Sequence, residues 1–176
     1  MIRSENLKLR ALEPADVDLL YEWENDTGLW HLSNTLEPFS RFTLEQYVLN
    51  SGDDIYASRQ LRMMIDLEDN KKVTTIGCVD LFDFDPANMR AGIGIMIAKE
   101  ERNKGYASEA LELMVDYTFH TLRLHQLYAN VMAGNAVSLG LFRKKGFSVV
   151  GLKKEWLRSG HTWSDEYMLQ LINKNY

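Results

Sequence analysis

The sequence predicts an α/β chain of the α+β type, a mixed and mostly antiparallel sheet with flanking helices, on three observations. Its periodic segments follow the order βαα–ββ–βαβ–α–ββ, which is not a run of βα units and reads against a doubly wound fold. An apolar run dense in isoleucine, residues 91–98, passes through the glycine turn 102–107 into an amphipathic helix. The chain has 176 residues, 45% apolar and 26% charged, a size and composition suited to one core and to a single domain over residues 1–176.

Residues 7–12 alternate as a strand. Glu13, Pro14, Ala15 and Asp16 then open a helix carrying Val17, Leu20, Tyr21 and Trp23, with Asp16 placed for the positive end of the helix dipole. Residues 28–41 are less regular, and a second helix covers 44–50 and ends near Gly52. Residues 61–67 and 73–84 read as strands joined by the polar turn 68–72, and residues 83–90 turn into the strand 91–98. In the long helix Ala107, Ala110, Leu111, Met114, Tyr117, Thr118 and Leu122 recur at helical spacing. Residues 125–132 form a strand and 136–145 a short helix, with Asn135 at its N-cap and Gly146 at its stop. Residues 147–153 and 163–172 supply the last two strands.

Composition narrows the functional classes. The net charge of −5 argues against broad attraction to nucleic acid. No apolar run reaches the roughly 20 residues that span a bilayer, and the charged start of the chain lacks the apolar centre of a signal peptide. The single cysteine, Cys78, excludes an intrachain disulfide framework and a Cys-rich zinc site, and its apolar neighbours mark a buried thiol. The expectation is a cytoplasmic protein with no membrane or nucleic-acid partner and no metal. Charge is nevertheless uneven. Lys99, Arg102 and Lys104 flank the glycine turn, and Arg143, Lys144 and Lys145 form a second basic group. Acidic residues gather at Glu22, Glu24 and Asp26 and at Asp80, Asp83 and Asp85. Such separation suits a polyanionic cofactor and a cationic substrate, and ordinary solvated charge is the plain alternative.

A strand that turns through glycine into a helix leaves N–H groups unpaired at the positive end of the helix dipole, a cradle for phosphate or pyrophosphate. The P-loop pattern GxxxxGK[ST] is absent, and Gly92-Ile93-Gly94 is followed by Met96 and Ile97, so GxGxxG fails too. Both glycines lie inside the strand, where glycine marks a bulge or a close backbone approach.

Arg102-x-x-Gly105-x-Ala107 matches the (Q/R)xxGx(G/A) motif of the GNAT superfamily of N-acetyltransferases. Residues 124–147, with the Asn135-x-x-Ser138 step and the closing Lys144-Lys145-Gly146-Phe147, resemble that family's strand-then-helix block ending in KxGF. Residues 7–10 and 156–169 resemble the RimJ/RimL-like and SpeG (spermidine/spermine acetyltransferase)-like branch. The resemblance runs over nearly the whole chain. It implies a GNAT-like fold with the sheet splayed at the cofactor site, and acetyl-CoA as cosubstrate. The strand backbone from Ile95 to Ala98, Ile97 and Ala98 included, would lie along the pantetheine, and Arg102, Asn103, Lys104, Gly105, Tyr106 and Ala107 would wrap the pyrophosphate, mainly through N–H groups. Asn135 would bond the pantetheine arm or only cap its own helix. Ser138 would face the cofactor or only belong to the helix surface, and Phe142 would face the cofactor. Arg143 and Lys144 would meet the adenosine phosphates or only solvent.

Acyl transfer from a thioester to an amine needs a neutral amine, although a free alkylammonium has a pKa of about 10.4. It therefore needs a base, an oxyanion donor and alignment. Two departures from the family stand out. The tyrosine that serves as general acid is here Phe142, and a glutamate base of the strand before the cradle is here Gly92. Base candidates are Asp80, Asp83 and Glu155; candidates for acceptor recognition are His31, Glu37 and His161. The expected acceptor is a small-molecule polyamine or diamine, or a protein N-terminal amine; a CoA-binding regulatory domain with little turnover is the alternative. Monomer or homo-oligomer stays open.

Overall fold

The computed structural model describes residues 2–30, 35–52, 54–69 and 72–174. Their order is β1 (Ile2–Arg3), β2 (Leu7–Arg10), a 3-10 turn (Pro14–Asp16), α1 (Val17–Glu24), α2 (Arg41–Asn50), α3 (Ile55–Ser58), β3 (Leu61–Asp69) and β4 (Lys72–Asp85). Then come β5 (Arg90–Ile97), a second 3-10 turn (Lys99–Glu101), α4 (Tyr106–His120), β6 (Gln126–Met132), α5 (Ala136–Lys144), β7 (Ser148–Ser159) and β8 (Thr162–Ile172). One sheet of order β1-β2-β3-β4-β5-β6-β8-β7 joins all eight strands, antiparallel except for β5 and β6.

Period-2 alternation sorts the sheet residues onto two faces. Met63 and Ile65 of β3, with Val79 and Leu81 of β4, join the core built with Ala110, Leu111 and Met114 of α4. Met64 and Cys78 point the other way, into a second apolar cluster with Leu12, Val17, Leu20, Leu44 and Val48 beneath α1 and α2. That second face also carries Arg62, which lies opposite Asp80 in the β3–β4 ladder.

The parallel pairing of β5 with β6 is short: Arg90↔Gln126, Ala91↔Leu127 and Gly92↔Tyr128. Beyond Gly92, β5 continues to Ile97 and β6 to Met132 with no pairing between them among the described residues. The expected splay of the sheet is therefore present.

Several boundaries differ from the sequence reading. α2 starts at Arg41, three residues early, because the Ser40 hydroxyl accepts the Thr43 N–H at 3.1 Å and caps it. β1 and the single turn α3 carry too few residues to show a period. β7 runs past Lys153 to Ser159 through a bulge at which Glu155 takes φ 47.

Candidate active site

The glycine turn is built from two left-handed residues, Asn103 (φ 63) and Gly105 (φ 91), between the 3-10 turn and α4. Among the described residues, the backbone N–H groups of Asn103, Lys104, Gly105, Tyr106 and Ala107 have no protein acceptor. A Cβ built on Gly105 meets nothing within 4 Å, so a side chain there would project into open space beside the turn. Arg102 closes the loop from behind, its Nε donating to the Ile97 carbonyl at 2.9 Å, while Lys104 Nζ bonds Glu101 at 2.9 Å. Ala98 donates its N–H to Ile76 at 2.8 Å, anchoring the end of β5.

The splay opens into a cleft of about 650 Å³. Ile93–Met96 of β5 line one side, and Asn130, Val131 and Met132 of β6 with Asn135, Ser138 and Phe142 line the other. Asn135 caps α5, its Oδ1 accepting the Ser138 N–H at 3.1 Å. Phe142 is buried edge-to-face on Phe147 with ring centroids 5.1 Å apart. Arg143 and Lys144 are exposed at the end of α5.

Of the expected base residues, only Asp80 lines the cleft. Its carboxylate takes Arg62 Nε at 2.6 Å and Nη2 at 3.2 Å, while Arg62 Nη1 reaches Glu24 Oε1 at 2.5 Å. The Tyr47 ring lies 5.5 Å from the guanidinium carbon. Burial works against the Arg62 charge, yet Asp80 holds the guanidinium firmly protonated. Cys78 also lines this wall, and burial reinforced by Asp80 pushes its thiol up, which keeps it inert at neutral pH.

Asp83 sits at φ 49 where the β4–β5 register shifts, outside the cleft lining. It accepts the Tyr128 hydroxyl at 2.9 Å, and burial, then Asp83, pushes that phenol up to about 12. Glu155 is exposed outside the lining, its N–H donating to Asp165 at 2.8 Å. Glu37 and His161 are exposed and outside the lining too, and His31 falls outside the described residues.

The sequence reading missed the opposite wall. Lys153 pairs across the β7–β8 ladder with Glu166, whose side chain is buried, and also donates to Asn130 Oδ1 at 3.1 Å. Lys153 Nζ lies 4.8 Å from the centre of the Trp156 ring. All four residues line the cleft. Among the described residues no three His, Cys, Asp or Glu side chains converge to hold a metal, and no helix is long and apolar enough to cross a membrane.

The model of the acetyltransferase (GNAT) domain matches residues 6–148. The probable N-acetyltransferase YjcK of Bacillus subtilis is 29% identical over 98% of this chain and 97% of its own. The spermidine N(1)-acetyltransferase of Escherichia coli K12 is 28% identical over 86% of this chain and 77% of its own. In fold, the chain superposes on the spermidine N-acetyltransferase of Vibrio cholerae, solved with CoA and spermine. The TM-score is 0.86, at 24% identity, over 96% of both chains.

Proposed function

The chain belongs to the GNAT family of acetyltransferases, and we propose that it is an acetyl-CoA-dependent N-acetyltransferase whose acceptor is a primary amine, attacking the thioester directly. The observation that carries this reading is the parting of β5 from β6 after Gly92, next to a helix start with unpaired N–H groups. The residues present fit the cofactor: the donors of Asn103–Ala107 suit a diphosphate, and β5 beyond Gly92 offers a free edge to an extended amide chain. We take residues 1–176 as one catalytic domain.

When bound, acetyl-CoA supplies an acyl group activated as a thioester. The N–H groups of 103–107 would hold the diphosphate, and the backbone of residues 95–98 would align the pantetheine arm. Ile97 and Ala98 end that edge, while Asn135 and Ser138 face it from α5. Arg143 and Lys144, exposed at the end of α5, would be the residues to meet the adenosine phosphates. Asp80, held by Arg62, takes the acceptor's proton through water. Phe142 has no proton to give, and a leaving thiol with an ordinary pKa near 8.5 can depart without one.

Two acceptor types follow from this chemistry, a polyamine or diamine and the N-terminal amine of a protein. The relatives named for spermidine support the first. Release of CoA from acetyl-CoA with spermidine, spermine and N-terminal peptides tests the reading. Amine-dependent release is the expected result, and silence with every amine overturns it. Tight acetyl-CoA binding without transfer would instead favour a CoA-binding role with little turnover.

A further inference from the structure

We infer that the acceptor site is built for a primary amine carrying a single positive charge on an otherwise apolar body, and that it disfavours polyamines; this rests on the transferase reading above. The inference comes from how the charges in the cleft are paired. Among the described residues three carboxylates line it, Glu24, Asp80 and Glu166, and two cations, Arg62 and Lys153. Arg62 serves both Asp80, through two nitrogens at 2.6 and 3.2 Å, and Glu24, through one at 2.5 Å. Lys153 serves Glu166. One carboxylate charge is left in surplus, and it sits at the Glu24 end. Both Asp80 oxygens take Arg62 hydrogen bonds, whereas Glu24 uses only Oε1 and keeps Oε2 without a partner among the described residues. Glu24 is therefore the carboxylate that receives the incoming ammonium, and the site is electrically complete with one.

A second ammonium on the same molecule finds no second surplus. Arg62 and Lys153, only 19% and 28% exposed at their side chains, already occupy the other carboxylates, so among the described residues no unpaired anion is left for it. A partly desolvated charge without a partner is costly to hold. The remaining walls, Trp23, Leu29, Tyr47, Leu61, Trp156 and Leu157, offer aromatic and aliphatic surface to the rest of the acceptor. Attraction to one charge and rejection of the next thus come from the same side chains.

The test compares 1-aminohexane with 1,6-diaminohexane, matched in length, and with spermidine, using the full chain with saturating acetyl-CoA near pH 7. At that pH the distal amine of the diamine is protonated, its pKa lying near about 10.4. The expected result is a kcat/KM for the monoamine about tenfold or more above that of the diamine, with spermidine no better than the diamine. In Lys153→Met the ratio is expected to fall about threefold or more, since Glu166 is then left in surplus for a second ammonium. Equal or better turnover of the diamine or of spermidine by the wild-type chain overturns the inference alone. A ratio unmoved by Lys153→Met in a folded variant does the same. Absence of CoA release with every amine overturns the transferase reading as well.

Discussion

At Gly92 a Cβ would stand 2.2 Å from Cε2 of Phe82, its cross-strand neighbour on β4. The ring occupies the space that a side chain on β5 would need. The missing glutamate at this position is therefore part of a packing exchange, in which an aromatic ring on one strand requires glycine on the next. The sequence displayed the glycine but not the ring that explains it, because the pairing depends on the β4–β5 register. Gly92→Glu is expected to destabilise the fold by about 1–3 kcal/mol through overpacking, and Phe82→Ala in the same background to recover part of that. Urea denaturation of the two variants measures both effects. Phe142 was legible in a similar way. Its identity showed that no hydroxyl is available, while its edge-to-face contact with Phe147 shows what the ring does instead.

At the scale of elements, α1 is tied to the sheet through Arg10. Its guanidinium bonds Asp16 at 2.7 and 2.8 Å, Asp66 at 2.8 Å and Thr75 at 3.1 Å, joining the helix start to β2, β3 and β4. Burial alone would raise the Asp16 carboxyl; the Arg10 guanidinium and the Glu13 N–H together hold it below the usual range. A carboxylate depressed in the folded state contributes stability that is present above its unfolded pKa of about 3.9 and is lost as pH falls through the folded value. Asp16→Asn is expected to cost about 3 kcal/mol at neutral pH and to weaken the fall in stability below about pH 4, measured by urea denaturation across pH. Asp16 at the helix start and Asn135 as a cap could be read from the sequence, since both act on their own turn. Arg10 could not, since its partners on β3 and β4 become neighbours only through sheet pairing.

The same limit applies with more force to the acceptor side of the cleft. Counting back from the 69–72 turn sets Arg62 opposite Val79; the register shift at Ile65/Asp66 moves Asp80 into that place. Counting back from the β7–β8 turn sets Lys153 opposite Met168; the bulge around Glu155 puts Glu166 there instead. The first shift, of one residue, turns the partner to the other face, and the second, of two, replaces Met168 by Glu166 on the same face, so neither charged pair could be read from alternation alone.

For the molecule as a whole, the division of labour follows the sheet. α4 covers one face and supplies the loop; α1 and α2 cover the other and supply Glu24; the parted strands β5 and β6 leave the cleft between. The glycine turn was legible, because a turn between strand and helix is a local pattern. The charged lining of the cleft was not, because its groups come from residues 24, 62, 80, 153 and 166. The central claim is that the loop of residues 102–107 holds the cofactor's phosphates for catalysis in that cleft. Calorimetric titration of acetyl-CoA into the wild-type chain and into Gly105→Glu tests it most directly, with circular dichroism to verify the fold. A carboxylate in the open space beside the turn, on a residue at φ 91, should raise the dissociation constant about tenfold or more. Equal affinity in the two folded proteins would contradict it.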